Sequence, residues 1–234
     1  MHTTRNWKPR PWILGLPLLG SLGATGCTDP RCEDLEALPQ GDRVQVIGDS
    51  VFDSNADTCG DVGDHLSFLL GEQVVDRAIG GLLLDDPDGL DIADQYRSQG
   101  HAWVVVDGGA NDLLTRCNCD CGPEIDALAS EDASEGAMVD LVDRIVADGS
   151  SVAILGYYEA VPGSEFGPCL DELEVMTTRY SMIAEQHPEV TLVDARPLMS
   201  PQQTPSAYQE DGIHPSPEGA LLIAEAFATV IGEP

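Results

Sequence analysis

The sequence predicts an α/β fold, a five-stranded parallel sheet with helices on both faces. Three observations carry this reading. Short runs dominated by Val, Ile and Leu recur between residues 44 and 193, broken by a polar residue only at Gln45 and Thr191. Amphipathic patterns of helical period separate them. Polar motifs rich in glycine stand directly after several of the runs. Continuously apolar strands are buried on both sides, as in a parallel sheet covered by helices. Such sheets build their sites at the carboxyl ends of the strands.

Taken in order, Val44 to Ile47 is the first strand, stopped by Gly48. Asp57 to Leu70 reads as a helix with Leu66, Leu69 and Leu70 on one face. Val74-Val75 begins the second strand, and Leu90 to Gln99 is expected to be helical. Ala102 to Val106 is a third strand, expected to be fully buried. Gly136 to Asp148 places Met138, Leu141, Val142, Ile145 and Val146 at helical spacing. Val152 to Leu155 is the fourth strand, Asp171 to Gln186 a helix, and Val190 to Val193 the fifth strand. Pro215 to Ile231 closes the domain as a helix.

Ahead of the first strand, residues 1–26 read as an export signal. Arg5, Lys8 and Arg10 precede a short apolar stretch from Trp12 to Ala24 that is interrupted by Pro17. Those 13 residues would span only about 20 Å as a helix, against roughly 30 Å for a bilayer core. Small residues at 24–26 lead into Cys27, a pattern that resembles the bacterial lipobox and makes Cys27 the expected lipidation site. The alternative is an ordinary signal-peptidase site with Cys27 as a free thiol. Thr28, rather than Asp, after Cys27 favours the outer membrane by bacterial sorting rules. Residues 27–41 are expected to be a tether and 42–234 the folded domain. The membrane is expected to be met through the lipid anchor alone.

The chain has seven cysteines. Assigning Cys27 to lipid leaves an even set, which in an exported chain implies disulfides. Adjacent members of Cys117, Cys119 and Cys121 are hard to bridge, so at least two of the three are expected to reach distant partners. A thiolate metal site is the rival reading, but the CxCxC spacing is not that of a zinc ribbon. No metal and no cofactor are expected. Beyond residue 26, eight arginines stand against 41 Asp and Glu, a net charge of −33. A surface so acidic repels nucleic acid and anionic membrane faces, and it suits a saline habitat in which self-repulsion is screened. A monomer is expected.

Four short blocks carry chemistry. Gly48-Asp49-Ser50-Val51 follows the first strand and exposes a serine at a strand-to-helix turn, although an ordinary turn uses the same residues. Asp211-Gly212-Ile213-His214 precedes the last helix. Its spacing lets the carboxylate meet His214 Nδ1 and leave Nε2 free to take a proton from Ser50; a helix cap beside an exposed histidine is the plainer alternative. His65, His101 and His187 have no such partner. Asn111, in Gly109-Ala110-Asn111-Asp112 after the third strand, offers an amide donor. Gly80-Gly81 after the second lets a backbone N–H approach a ligand. With the Ser50 N–H these would make three oxyanion donors.

In this order the blocks resemble the SGNH, or GDSL-type, hydrolase family: GDS, a glycine, GxND and DxxH, spread over Gly48 to His214. The resemblance implies a flavodoxin-like, three-layer α/β/α sandwich and a metal-free esterase or lipase. It assigns Ser50 as nucleophile, Asp211 and His214 as its partners, and Ser50, Gly81 and Asn111 as the oxyanion hole. It prefers Gly81 to Gly80 because Val74 to Gly81 fits the family's VVNxxxxG, with Asp76 in place of the Asn. The expected substrate is a small ester, an acylated carbohydrate or a lipid. Acyl transfer to an alcohol on the same site, or a non-catalytic surface binding protein, would be the alternatives. The loop from Leu84 to Asp94 fails the EF-hand pattern and is expected to be a solvated acidic loop near the site. Tyr157-Tyr158-Glu159 is a candidate pocket lining, and Asp112 a candidate support for the Asn111 loop.

Overall fold

A computed structural model of the chain describes residues 29–232. The expected signal segment and Cys27 lie outside them. In chain order the elements are α1 (Pro30–Glu36), β1 (Gln40–Ile47), α2 (Ser50–Asp53), α3 (Val62–Leu70), β2 (Gln73–Asp76), β3 (Trp103–Val106), α4 (Ala110–Cys117), α5 (Pro123–Leu128), α6 (Ala137–Ala147), β4 (Ser151–Gly156), α7 (Leu170–Gln186), β5 (Val190–Asp194) and α8 (Pro217–Gly232).

The five strands pair in the order β2-β1-β3-β4-β5, all in parallel. Right-handed crossovers run one way from β1 to β2 and the other way from β3 to β5, so the helices fall on opposite faces. α3 and α8 pack together on one side, and α6 and α7 cover β4 and β5 on the other. The expected α/β/α sandwich is therefore the observed one. Direction reverses between β1 and β3, and a crevice opens at such a switch point. The register sets Ile47 beside Val106, so the segments that begin at Gly48 and Asp107 leave the sheet at one level. Val46, Ile47 and Val104 to Val106, together with Val152 to Leu155, are completely buried.

Several local expectations need correction. The helix expected from Asp57 starts at Val62, because Asp61 and Asp64 form a reciprocal capping box there. Residues 56–58 make a separate 3-10 turn between left-handed Asn55 and Cys59. Leu69 lies 44% exposed, on the outer side of α3 rather than beside Leu66. The helix expected over Leu90 to Gln99 is a single 3-10 turn, Ala93–Gln95. The Gln95 side chain grips the Gly48 backbone, and Arg97 N–H donates to Gln45 Oε1, which holds the chain against the end of β1. Ala102 is exposed, so the third strand is fully buried only from Val104 to Val106.

Part of the expected tether, Pro30 to Glu36, is helical, capped by Asp29 and joined to the domain by Cys32–Cys59. The other disulfides are Cys117–Cys121 and Cys119–Cys169. Only Cys119 of the three neighbours reaches a distant partner, against expectation. Left-handed Asn118 and Cys119 fold the chain back at the end of α4 and bring the Cα atoms of Cys117 and Cys121 to 5.2 Å. Disulfides of this number are those of an exported chain. Among the described residues no helix is long and apolar enough to cross a membrane.

Candidate active site

Ser50 is the first residue of α2, directly beyond the end of β1. Asp49 caps that helix by accepting the Val51 N–H at 2.9 Å. Backbone N–H groups at a helix start have no partner within the helix, which leaves the Ser50 N–H available to a ligand. Gly48 is required by space: a Cβ there would fall 1.7 Å from Asp107 Oδ1.

His214 reaches this serine across the sequence. Its Nε2 is 2.8 Å from Ser50 Oγ, and its Nδ1 is 2.6 Å from Asp211 Oδ2. The other Asp211 oxygen accepts the N–H groups of Ile213 and His214. Burial pushes the Asp211 carboxyl up, but these three hydrogen bonds outweigh it and hold the group below the usual carboxylate range. The loop carrying both residues is fixed from two sides. Tyr158 Oη donates to the Ile213 carbonyl, and the Val161 N–H donates to Gly212 O. Asn55 and Gln209 both donate to Pro215 O. Gly212 has φ +69°, and a Cβ on it would lie 2.7 Å from Val161 Cβ, so only glycine fits.

Asn111 lies in the first turn of α4. Its amide donates to Leu82 O at 3.0 Å and to Asp49 Oδ2 at 3.2 Å, tying together the loops after β1, β2 and β3. Donation to an oxyanion would replace one of these bonds. Gly81 follows β2 with φ +81°. The N–H of its neighbour Gly80 is taken by Asp53 Oδ2 at 2.9 Å. The structure thus brings Ser50, Asp211, His214 and Asn111 together and sets Gly81 one residue beyond the glycine that lies against Ser50. His101 and His187 point elsewhere, to Asp42 O and towards Asp143.

Three supports escaped the sequence reading. Gln95 brackets Gly48, and Tyr158 steadies the histidine loop. Asp107 accepts the Asp49 N–H at 2.7 Å. An acid standing alone after Trp103-Val104-Val105-Val106 was the signal that could have found the third. Burial drives Asp107 well above the ordinary carboxylate range, and the charge of Asp49 pushes in the same direction. Asp49 itself is raised to about 6, chiefly by burial, despite the Val51 N–H and the attraction of His214. Asp112 accepts the N–H groups of Leu84 and Asp85 and so anchors the start of the acidic loop near the site. That loop is not wholly solvated, since Leu84 and Ile92 are buried.

A cavity of about 30 Å³ adjoins Ser50, Asn111 and His214 and is walled by Tyr157, Tyr158, Ala160, Phe166, Leu173 and Ile213. The two tyrosines are therefore both buried and pocket-lining. Within the arrangement, one hydroxyl faces an imidazole whose opposite nitrogen meets a carboxylate. It can support proton transfer from the serine and stabilise the imidazolium that results.

Residues 46–222 match the model of the GDSL-like lipase/acylhydrolase family. No curated protein matches the chain significantly. Among solved structures, the fold resembles a protein from Slackia heliotrinireducens described as an SGNH hydrolase, with TM-score 0.61, 22% identity, and coverage of 82% of this chain and 100% of the other. It resembles an acetylxylan esterase from Geobacillus stearothermophilus with TM-score 0.60, 21% identity, and coverage of 84% and 97%. A protein from Desulfitobacterium hafniense, described as lipolytic and of the G-D-S-L family, gives TM-score 0.61, 14% identity, and coverage of 81% and 99%. At these identities the structural likeness is one of fold.

Proposed function

Since the chain belongs to the GDSL-like lipase/acylhydrolase family and is a hydrolase acting on ester bonds, we propose that it cleaves carboxylic esters with Ser50 as nucleophile, His214 as general base and acid, and Asp211 as the residue that orients His214. The observation that carries this reading is the pair of contacts on one ring: Nε2 to Ser50 at 2.8 Å and Nδ1 to Asp211 at 2.6 Å.

In the first half-reaction His214 removes the Ser50 proton as Oγ attacks the ester carbonyl. Negative charge gathers on the former carbonyl oxygen, which is met by the N–H groups of Ser50 and Gly81 and by the Asn111 amide. The occupied N–H of Gly80 favours Gly81 for this role. Collapse expels the alcohol, protonated by His214. Water then attacks the acyl-serine by the same route and releases the acid.

The substrate is a small ester or an acylated carbohydrate. The strongly acidic surface disfavours anionic substrates. The chain is exported and carries its lipid on Cys27. A fatty-acid probe that still labels Cys27→Ser would refute that assignment.

The deciding experiment compares wild type with Ser50→Ala on p-nitrophenyl acetate. Wild type should turn it over, and Ser50→Ala should retain about one part in 10⁶ of kcat. An inactive wild type, or an active alanine variant, would reject the nucleophile.

A further inference from the structure

The cavity beside Ser50 is small enough to select its occupant. At about 30 Å³ it is far smaller than the roughly 300–1,000 Å³ of a pocket for a drug-sized ligand. Phe166 and Leu173 contribute to its wall at 8% and 6% exposure, with no polar atom of their own. A second cavity of about 360 Å³ shares Tyr157, Tyr158 and Leu173 with the first and is lined elsewhere by charged groups, including Glu174 and Arg196. The shared side chains form a partition between a small apolar chamber and a larger polar one.

The wall is fastened to the catalytic side of the domain. Cys169 lies between Phe166 and Leu173, is itself fully buried, and is bonded to Cys119. Cys119 sits two residues beyond α4, whose first turn carries Asn111. One covalent bond therefore joins the wall segment to the helix of the amide donor.

Topology decides which part of an ester enters. Gly81 follows β2, on one side of Ser50, and the cavity lies on the other, towards β4. A carbonyl oxygen turned to Gly81 and Asn111 leaves one substituent facing the cavity. A sugar alcohol is too large for it, so the acyl group is the part that fits.

Resting on the ester-hydrolase reading, we propose that this chain is selective for acetyl esters, that Phe166 and Leu173 stop the acyl group at two carbons, and that the Cys119–Cys169 disulfide holds them there. Longer chains must push the wall aside in a packed interior, where volume changes of one methylene are felt. One methylene discriminates by about 10–200-fold in kcat/KM.

The test is the kcat/KM profile of the full purified chain on p-nitrophenyl acetate, butyrate and octanoate, repeated for Leu173→Ala, Phe166→Leu and the double variant Cys119→Ser/Cys169→Ser. Wild type should favour acetate over butyrate by about 10-fold or more and over octanoate by about 100-fold or more. Leu173→Ala, which opens the partition, should raise octanoate relative to acetate by about 10-fold. Phe166→Leu, a milder change, should move the profile the same way and serves if the alanine variant does not fold. A wild-type profile flat from acetate to octanoate, or a profile unmoved by both wall substitutions, overturns the inference alone. A serine pair with the wild-type profile overturns the role of the disulfide. Absence of hydrolysis of every ester by folded wild type overturns the ester-hydrolase reading and this inference with it.

Discussion

Asp107 accepts the backbone N–H of Asp49 at 2.7 Å, while its second oxygen is enclosed with no hydrogen-bond partner among the described residues. Burial first, and the charge of Asp49 second, push its carboxyl well above the ordinary range and so favour the neutral form. A neutral amide should then replace it more cheaply than an apolar side chain. Asp107→Asn should lose less than about 1 kcal/mol of stability, whereas Asp107→Ala strands the Asp49 N–H at about 1–3 kcal/mol. Denaturant midpoints measure both, and an alanine variant as stable as wild type would contradict the account.

Asp211 is held ionised by three hydrogen bonds against the cost of its burial. Asp211→Asn keeps the shape and loses the charge and the enforced tautomer. We expect kcat to fall on the order of 10⁴, with the thermal unfolding curve little changed. A fall of less than 10-fold would leave Asp211 as a cap for the His214 loop only.

Asn111→Ala should cost about 10²–10³ in kcat if its amide meets the oxyanion, with KM much less affected. Because the same amide binds Leu82 and Asp49, a purely structural role predicts instead a loss of stability with kcat preserved. Steady-state kinetics beside a melting curve separates the two.

The acid-side stability of the domain should reflect Asp61. Burial, and then the neighbouring carboxylates of Asp76 and Asp64, push it up to about 8. An unfolded Asp titrates near 3.9, so the folded chain holds the extra proton between about pH 4 and 8. Stability from this group is complete below that window and is lost as pH rises through it. Wild type should unfold at lower denaturant at pH 8 than at pH 5. Asp61→Asn, which can still cap α3, should shrink the difference, and an unchanged difference would assign it to other groups.

With 41 acidic residues against eight arginines beyond the export segment, added salt should stabilise the fold. Raising NaCl from about 0.01 to 0.1 M shortens the screening length from about 30 to 10 Å and should raise the melting temperature. A melting temperature independent of salt would mean that the repulsion is already offset within the fold.

The sheet was legible because Val104 to Val106 and Val152 to Leu155 are apolar on both faces and Val44 to Ile47 is broken only by Gln45, which local sequence displays directly. The site blocks were legible because each follows a strand, where topology gathers them. What could not be read depends on distant partners. Leu90 to Gln99 has the composition of a helix, yet Gln95 is drawn onto Gly48, and the Arg97 N–H in the extended chain that follows is taken by Gln45 Oε1. The cysteine pairing turned on left-handed Asn118 and Cys119. Polar supports such as Gln95 and Tyr158 carry no periodic signature, since their partners are backbone atoms far along the chain.

The helix α1 bears on where the enzyme does its work. The Arg31 guanidinium, from its first turn, lies against Gly60, which is also close to Pro217 at the head of α8, just past the His214 loop. The Cys32–Cys59 bond prevents that end from swinging away. A lipid on Cys27, as proposed, would leave one residue, Thr28, between the anchor and Asp29. Such a short leash would keep the domain, and with it Ser50, close to the bilayer surface. Large insoluble polymers would be barred from it, and soluble esters small enough to diffuse along the membrane face would be the ones that reach Ser50.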